Sequence, residues 1–253
     1  MSSSTGPIHR AAADGYQANA DVYRRARPAY HPELVARVVD RYTGPGAVVV
    51  DLGAGTGVFT AQLVAAGVRP TAVEPVEAMR AKLTAQLPAV TAVPGTAEAI
   101  PAEDAAVDTV VVAQAMHWFD HGPALDELAR VLRPGGHLVT VWNVRDETVP
   151  WVTAYTEIVD RHAGDTPRHR TMRWRRAIDD DGRFEPVDDW STLHPVPTDP
   201  DGVVGRALST SFIAALSASD REAVADELRS VVAPLGDSFD YPYRAELQAW
   251  RRR

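Results

Sequence analysis

Short β-branched runs alternate with stretches of helical periodicity from Ala47 to Asn143, the pattern of a parallel sheet with crossover helices. Strands are expected at Ala47–Asp51, Thr71–Glu74, Val90–Pro94, Val107–Ala113 and His137–Asn143, with helices near Gly57–Ala66, Val76–Gln86, Ala97–Ile100 and Pro123–Leu132. The last helix should stop at Arg133-Pro134-Gly135-Gly136, where proline and two glycines turn the chain into the next strand. Upstream, Ala29–Tyr42 reads as a helix with Pro32 in its first turn and Leu34, Val35, Val38 and Val39 along one side, a cover over the crevice at the strand ends. After Asn143 the βα rhythm ends. Pro150–His162, Val203–Leu216 and Ser219–Val232 have helical spacing, and Glu185–Val196 with Phe239–Trp250 read as an antiparallel pair closing the sheet edge. The expected fold is therefore α/β and Rossmann-like, with a seven-stranded, mostly parallel sheet, an antiparallel edge and a helical cap.

Composition narrows the chemistry. The chain has 253 residues, 45% of them hydrophobic, enough for one sizeable α/β core. No run of about 18 apolar residues occurs, and the Ser-rich start from Met1 to Pro7 lacks a signal-peptide pattern, so a soluble, cytoplasmic protein without membrane contact is expected. The absence of cysteine excludes disulfides, thiolate metal sites and cysteine nucleophiles. The only lysine is Lys82, which removes Schiff-base chemistry at any other position and suits a GC-rich bacterial genome. A formal charge of -8 favours a small-molecule substrate over a nucleic acid, although a local basic groove stays open.

The strongest chemical signal is the loop Asp51-Leu52-Gly53-Ala54-Gly55-Thr56-Gly57, which joins an apolar strand to a helical run. Glycine permits positive φ and lets a ligand touch the backbone, while the following helix directs free N–H groups into the crevice. Glu74, at the end of the second strand, stands where an acid can take both hydroxyls of a ribose. A nicotinamide dinucleotide competes for such a crevice, but its fingerprint wants glycine or alanine at the sixth position, where this chain has Val58. The leading Asp51 would also oppose a pyrophosphate and suit an ammonium group.

With these residues in view, the chain resembles the class I methyltransferases that use S-adenosylmethionine (SAM), and within them the small-molecule branch related to trans-aconitate methyltransferase. The resemblance is carried by the run Val22 to Tyr30, the loop from Asp51 to Gly57, the run Gln114 to Asp120 and the turn Leu132 to Gly136, with weaker matches at Ser209–Phe212 and Tyr243–Leu247. It implies a class I methyltransferase fold: an N-terminal tail or cover over residues 1–22 and a single domain over 23–253, with cap elements at about 150–184 and 202–235. Carried over residue by residue, it implies that Asp51, Gly53 and Gly55 hold the methionine part of SAM, with Arg27 facing its carboxylate and Tyr23 covering the cleft. Glu74 would bind the ribose, Pro75 and Met79 flank the adenine, and Thr96, Ala97 and Glu98 meet its polar edge. Gln114 would border the sulfonium, and Tyr30, His117 and Trp118 would line the substrate pocket.

His117 is the candidate general base for an acceptor that must lose a proton, and a role in the pocket wall stands equally open. His117 and His121 at i and i+4, beside Asp120, have metal-ligand spacing, but Pro123 and the lack of a third ligand favour no metal. His31 follows Tyr30 and could face the cleft. Arg168, Arg170, Arg173, Arg175 and Arg176 with Trp174 could be a solvated segment balanced by nearby aspartates, a grip on an acidic substrate, or an RNA-stacking surface, in that order. The expected activity is methyl transfer from SAM to an O, N or C atom of a small metabolite, acidic or from natural-product tailoring. An RNA or protein methyltransferase and a non-catalytic SAM-binding protein are the alternatives.

Overall fold

The computed structural model describes residues 28–253. Seven strands form one sheet in the order β3-β2-β1-β4-β5-β7-β6. Its first five members are β1 (Val49–Leu52), β2 (Thr71–Val73), β3 (Thr91–Val93), β4 (Val107–Ala113) and β5 (Leu132–Arg145), all parallel. β6 (Phe184–Thr198) and β7 (Phe239–Arg252) extend the sheet as the expected antiparallel edge, β7 lying between β5 and β6. This is the Rossmann-like arrangement expected from the alternation of strand and helix signals. Helices cover both faces, so the central strands are apolar on both sides. Within β4, Val110 and Val112 face one core and Val111 the other, following the period of two. The edge strand β6 instead alternates half-buried and exposed positions after a buried Phe184, and carries Pro186, Pro195 and Pro197, which deny donors to a further strand.

One face is covered by α1 (Pro32–Tyr42) and α2 (Val58–Ala65), which bury Leu34, Val38, Phe59 and Leu63 against Val111, Val139 and Leu247. Asp188 on β6 fastens α1 to the sheet edge, accepting two hydrogen bonds from Arg37 at 2.7 and 2.8 Å and one from Tyr42 at 2.9 Å. The chain between β2 and β3 forms α3 (Glu77–Gln86). The opposite face carries α4 (His121–Val131) and α6 (Arg173–Asp180), whose Leu125, Leu128, Trp174 and Ile178 pack on Val110, Leu138 and Trp142. A third core joins α5 (Pro150–Asp160), α7 (Pro200–Leu208), α8 (Ser211–Ala214) and α9 (Ala218–Val232) over Tyr241 and Tyr243 of β7. Within the 150–184 stretch, α5 packs in this third core and α6 against the sheet.

Three local expectations need correction. Ala97–Ile100 is not a helix: wedged between Gly95 and Pro101, it closes on itself through a Thr96–Ala99 bridge. The run Val203–Leu216 is two helices, because the Ser209 hydroxyl donates to the Arg206 carbonyl at 2.7 Å and draws the chain out of helical pairing before the extended Thr210 leads into α8. The turn at Arg133–Gly136 does not leave the sheet. Leu132 already pairs with Val107, and the next paired residues are Thr109 and His137, so the proline and glycines form a bulge within β5. Among the described residues no helix is long and apolar enough to cross a membrane.

Candidate functional site

The glycine loop turns from β1 into α2 through three left-handed residues, Gly53 (φ 73°), Gly55 (φ 58°) and Gly57 (φ 84°). Space as well as φ demands glycine here. A Cβ on Gly53 would stand 2.8 Å from Cβ of Ala115, and one on Gly57 would stand 2.8 Å from Cγ of Leu83. The loop is held down by its own amides: Gly53 N and Ala54 N donate to the Val73 carbonyl at 2.8 and 3.1 Å. Its backbone forms one wall of a cavity that Tyr30, Phe59, Ala113, Gln114, Asn143 and Tyr243 complete.

The two acids expected at this crevice are already engaged by the protein. Glu74, buried, accepts from Gly55 N and Val76 N, each at 2.8 Å, and so clasps the glycine loop to the end of β2. Burial raises its pKa and those two amides oppose the rise. Asp51, wholly enclosed, accepts from the Thr60 hydroxyl at 2.6 Å. Burial pushes its pKa up to about 6, against the Thr60 hydrogen bond and with a smaller push from Glu74. Its other oxygen, Oδ1, has no hydrogen-bond partner among the described residues. The same holds for Thr56 Oγ1 and Asn143 Oδ1, and both of these residues border the cavity. A polar ligand against the loop therefore meets the Thr56 and Asn143 oxygens, which have no partner among the described residues.

Gln114 marks the junction with a second, larger cavity. It is a non-glycine residue at φ 57°, fixed by its amide on the Val141 carbonyl (3.0 Å) and its side-chain Nε2 on the Asn143 carbonyl (3.1 Å). Gln114, Asn143 and Tyr243 border both cavities. The second encloses about 990 Å³ including its open mouth, with His117 and Trp118 on one wall and Arg145, Arg168, His169, Arg170 and Arg206 among the others. His117 belongs to a ring cluster, 5.0 Å from Trp118 and 5.6 Å from Trp142 between centroids, and Trp142 lies 4.4 Å from His169. Burial lowers the His169 pKa to about 4, leaving a neutral imidazole at neutral pH.

Of the residues singled out from sequence, Gly53, Gly55 and Gln114 line the loop cavity, and Gln114, His117 and Trp118 line its neighbour. Tyr30, expected with the latter group, sits instead at the glycine loop, edge-on to Phe59 at 4.9 Å and held by Gln62 through its backbone N–H and carbonyl. Asp51, Glu74, Pro75, Met79, Thr96, Ala97 and Glu98 stand outside the lining of these two cavities. Met79, Thr96 and Ala97 are buried, Met79 with its sulfur 3.9 Å from where a Gly55 Cβ would be. Glu98 accepts from Asp120 N at 3.1 Å. Tyr23 and Arg27 lie outside the described residues. His31 does not turn to the crevice: its Nδ1 accepts from Glu33 N and caps α1, and its ring meets His194.

His117 and His121 do not share a helical face, since His117 is the middle residue of a short 3-10 turn, Met116–Trp118, and the extended Phe119 separates it from α4. Among the described residues no group of three or more histidines and acids is placed to hold a metal. Sequence reasoning missed Asn143, Arg145, Arg206 and Tyr243. Asn143 and Arg145 come from the end of β5, Arg206 from α7 and Tyr243 from within β7, and only the fold gathers them.

A family model described as a methyltransferase domain matches residues 50–140, from β1 into β5. An uncharacterized methyltransferase of Mycobacterium tuberculosis is 49% identical over 150 residues, which cover 58% of this chain and 59% of that relative, so the match spans less than two thirds of its length. A solved structure assigned as a methyltransferase of an antibiotic biosynthesis pathway in Anabaena variabilis superposes with a TM-score of 0.64 at 21% identity, over 88% of this chain and 98% of that one. The geranyl diphosphate C-methyltransferase of Streptomyces coelicolor, solved with Mg2+, geranyl diphosphate and S-adenosyl-L-homocysteine, gives a TM-score of 0.50 at 17% identity, over 87% of this chain and 77% of that one. The chain has the Rossmann-like class I methyltransferase fold, and its residues 50–140 match the methyltransferase domain.

Proposed function

We propose that the protein is a SAM-dependent methyltransferase that transfers a methyl group to an O, N or C atom of a small metabolite, and that residues 23–253 act as one catalytic unit. The observation that carries this reading is the pair of adjoining cavities, one backed by the glycine loop and the other rimmed by His117 and Trp118, with Gln114, Asn143 and Tyr243 common to both. A donor in the first and an acceptor in the second would meet across these three residues.

SAM supplies a methyl group on a positively charged sulfur, so the protein's task is mainly alignment and exclusion of water. The glycine loop brings backbone against the donor, and the Thr56 and Asn143 oxygens that have no partner among the described residues favour a ligand rich in N–H and O–H donors. Gln114 fixes the wall between the cavities through its bond to the Asn143 carbonyl. His117, on the wall of the second cavity, would take the proton where the acceptor is a hydroxyl or acidic carbon. The named relatives support the cofactor class, since the Streptomyces coelicolor enzyme was solved with S-adenosyl-L-homocysteine. The likeness to the trans-aconitate branch rests on the motif runs alone.

Calorimetric titration of the full chain with SAM and with a nicotinamide dinucleotide tests the cofactor. SAM should bind, and tight dinucleotide binding with no response to SAM would overturn the reading. Labelled SAM offered with a panel of acids, phenols and bulk RNA tests the acceptor. Label should enter a metabolite; label in RNA alone makes the protein an RNA methyltransferase, and binding without transfer to any acceptor makes it a SAM-binding protein.

A further inference from the structure

The chain at Pro28–Tyr30 runs along the loop cavity, which Pro28 and Tyr30 both border. Side chains from α2, β5 and β6 grip this strap by its main-chain atoms. Gln62 of α2 engages the N–H and the carbonyl of Tyr30 at 2.8 and 2.9 Å. Asn143, near the end of β5, donates from Nδ2 to the Ala29 carbonyl at 3.2 Å and to the Pro28 carbonyl at 3.5 Å. The same Ala29 carbonyl accepts a further hydrogen bond, at 3.0 Å, from Nε2 of His194. A carbonyl oxygen offers two lone pairs, so donors from β5 and from the edge strand β6 can share it. His194 reaches this point by register, paired with Tyr243 of β7, and stands outside the lining of both cavities. Because a carbonyl only accepts, the bond requires the proton on Nε2. Burial lowers the His194 pKa, the Ala29 bond opposes the fall and His31 adds to it, so the ring is neutral at neutral pH.

The consequence falls on Asn143. With Nδ2 committed to the strap, the amide has one orientation, and Oδ1, without a partner among the described residues, is the atom left to a ligand where the two cavities adjoin. The main-chain carbonyl of Asn143 anchors Gln114 in turn. We propose that His194 is a positioning residue for the loop cavity: by sharing the Ala29 carbonyl with Asn143 it holds the strap and fixes the amide that presents Oδ1. The proposal rests on the methyltransferase reading and adds a residue of the far sheet edge on which affinity for the methyl donor depends. The His194 ring also meets the His31 ring at 5.2 Å, and His31 caps α1. A role confined to holding α1 is separable, because Asp188 ties α1 to the same strand through Arg37 and Tyr42, away from the Ala29 carbonyl.

The test is calorimetric titration of the full chain with S-adenosyl-L-homocysteine. His194→Leu removes the donor and keeps an apolar side chain, and should weaken binding by about 3- to 10-fold, the worth of one hydrogen bond. His194→Val, with a side chain suited to a strand, provides a second disruption of the same bond, and circular dichroism reports whether each variant folds. His194→Gln carries an N–H2 group that can donate to the Ala29 carbonyl, and should return the affinity to within about 2-fold of wild type. Asp188→Ala should lower Tm and leave the affinity within about 2-fold. Wild-type binding with no loss in His194→Leu and His194→Val, a His194→Gln variant as weak as these two, or an equal loss in Asp188→Ala overturns the proposal and leaves the cofactor reading standing. Failure of the wild type to bind S-adenosyl-L-homocysteine overturns the cofactor reading and the proposal with it.

Discussion

Replacing Asp51 by asparagine should change the pH dependence of stability in a calculable way. The carboxyl is wholly enclosed, and its pKa in the folded protein is about 6 against 3.8 for an unperturbed group. The folded state therefore binds the proton more tightly than the unfolded chain. The stability gained from that proton is complete below the unfolded pKa and is lost as pH rises through about 6. A shift of about two units at about 1.4 kcal/mol each makes the loss about 3 kcal/mol by pH 7. Asparagine cannot ionise, yet its carbonyl can still accept from Thr60, so Asp51→Asn should lack this pH-dependent loss. Its new N–H2 would face the site of the unsatisfied Oδ1 and carries an offset of about 1–3 kcal/mol if it finds no acceptor. The slope with pH is accordingly more informative than the absolute value. Urea unfolding of both proteins at intervals from pH 4.5 to 7.5 should show wild type losing stability relative to the variant as pH rises. Parallel profiles would refute the buried acid. A ligand ammonium near Oδ1 favours the ionised form, so affinity for SAM should rise with pH through 6 in wild type and stay flat in Asp51→Asn.

Three other perturbations probe separate parts of the molecule. Gly57→Ala forces a methyl group against Leu83 at a left-handed backbone position, and should lower stability by about 3 kcal/mol, read as a fall in Tm of about 6–12 °C; an unchanged Tm would show that the loop has an alternative conformation. His117→Ala should leave SAM affinity intact and reduce turnover by about 10²-fold or more if the side chain takes the proton, and unchanged turnover on the identified acceptor removes that role. Asp188→Ala releases Arg37 and Tyr42 together and should reduce stability by about 2–3 kcal/mol, with amide exchange in Pro32–Tyr42 accelerating more than in the central strands; a uniform change across the sheet would mean that Asp188 does not fasten α1.

What the sequence disclosed depends on how far apart in the chain the cause of each feature lies. β4 and the spacing of Gly53, Gly55 and Gly57 were legible because a strand covered on both faces is a continuous apolar run, and because left-handed φ and crowded Cβ positions restrict a site to glycine wherever it falls. The short turn at Thr96–Ala99 was misread because four residues cannot display a helical period. The break at Ser209 was misread because a hydroxyl on a carbonyl three residues earlier leaves no trace in hydrophobic spacing.

The acids were found, but their present partners were not, since Glu74 meets Gly55 and Asp51 meets Thr60 only once the loop has closed. The arginine-rich stretch drew attention by its density, yet its charges are largely met nearby: Arg168 and Arg170 by Asp160, Arg175 by Asp179 and Asp189. Arg145 and Arg206 reach the second cavity from β5 and α7, far from that stretch in sequence, Arg145 over the Tyr155 ring and Arg206 over the rings of Tyr241 and Tyr243. A cluster of like charges close in sequence recruits its own counterions as the chain folds. A single arginine carried into a core by its strand or helix has fewer local choices, and here aromatic faces, gathered only by the fold, hold it.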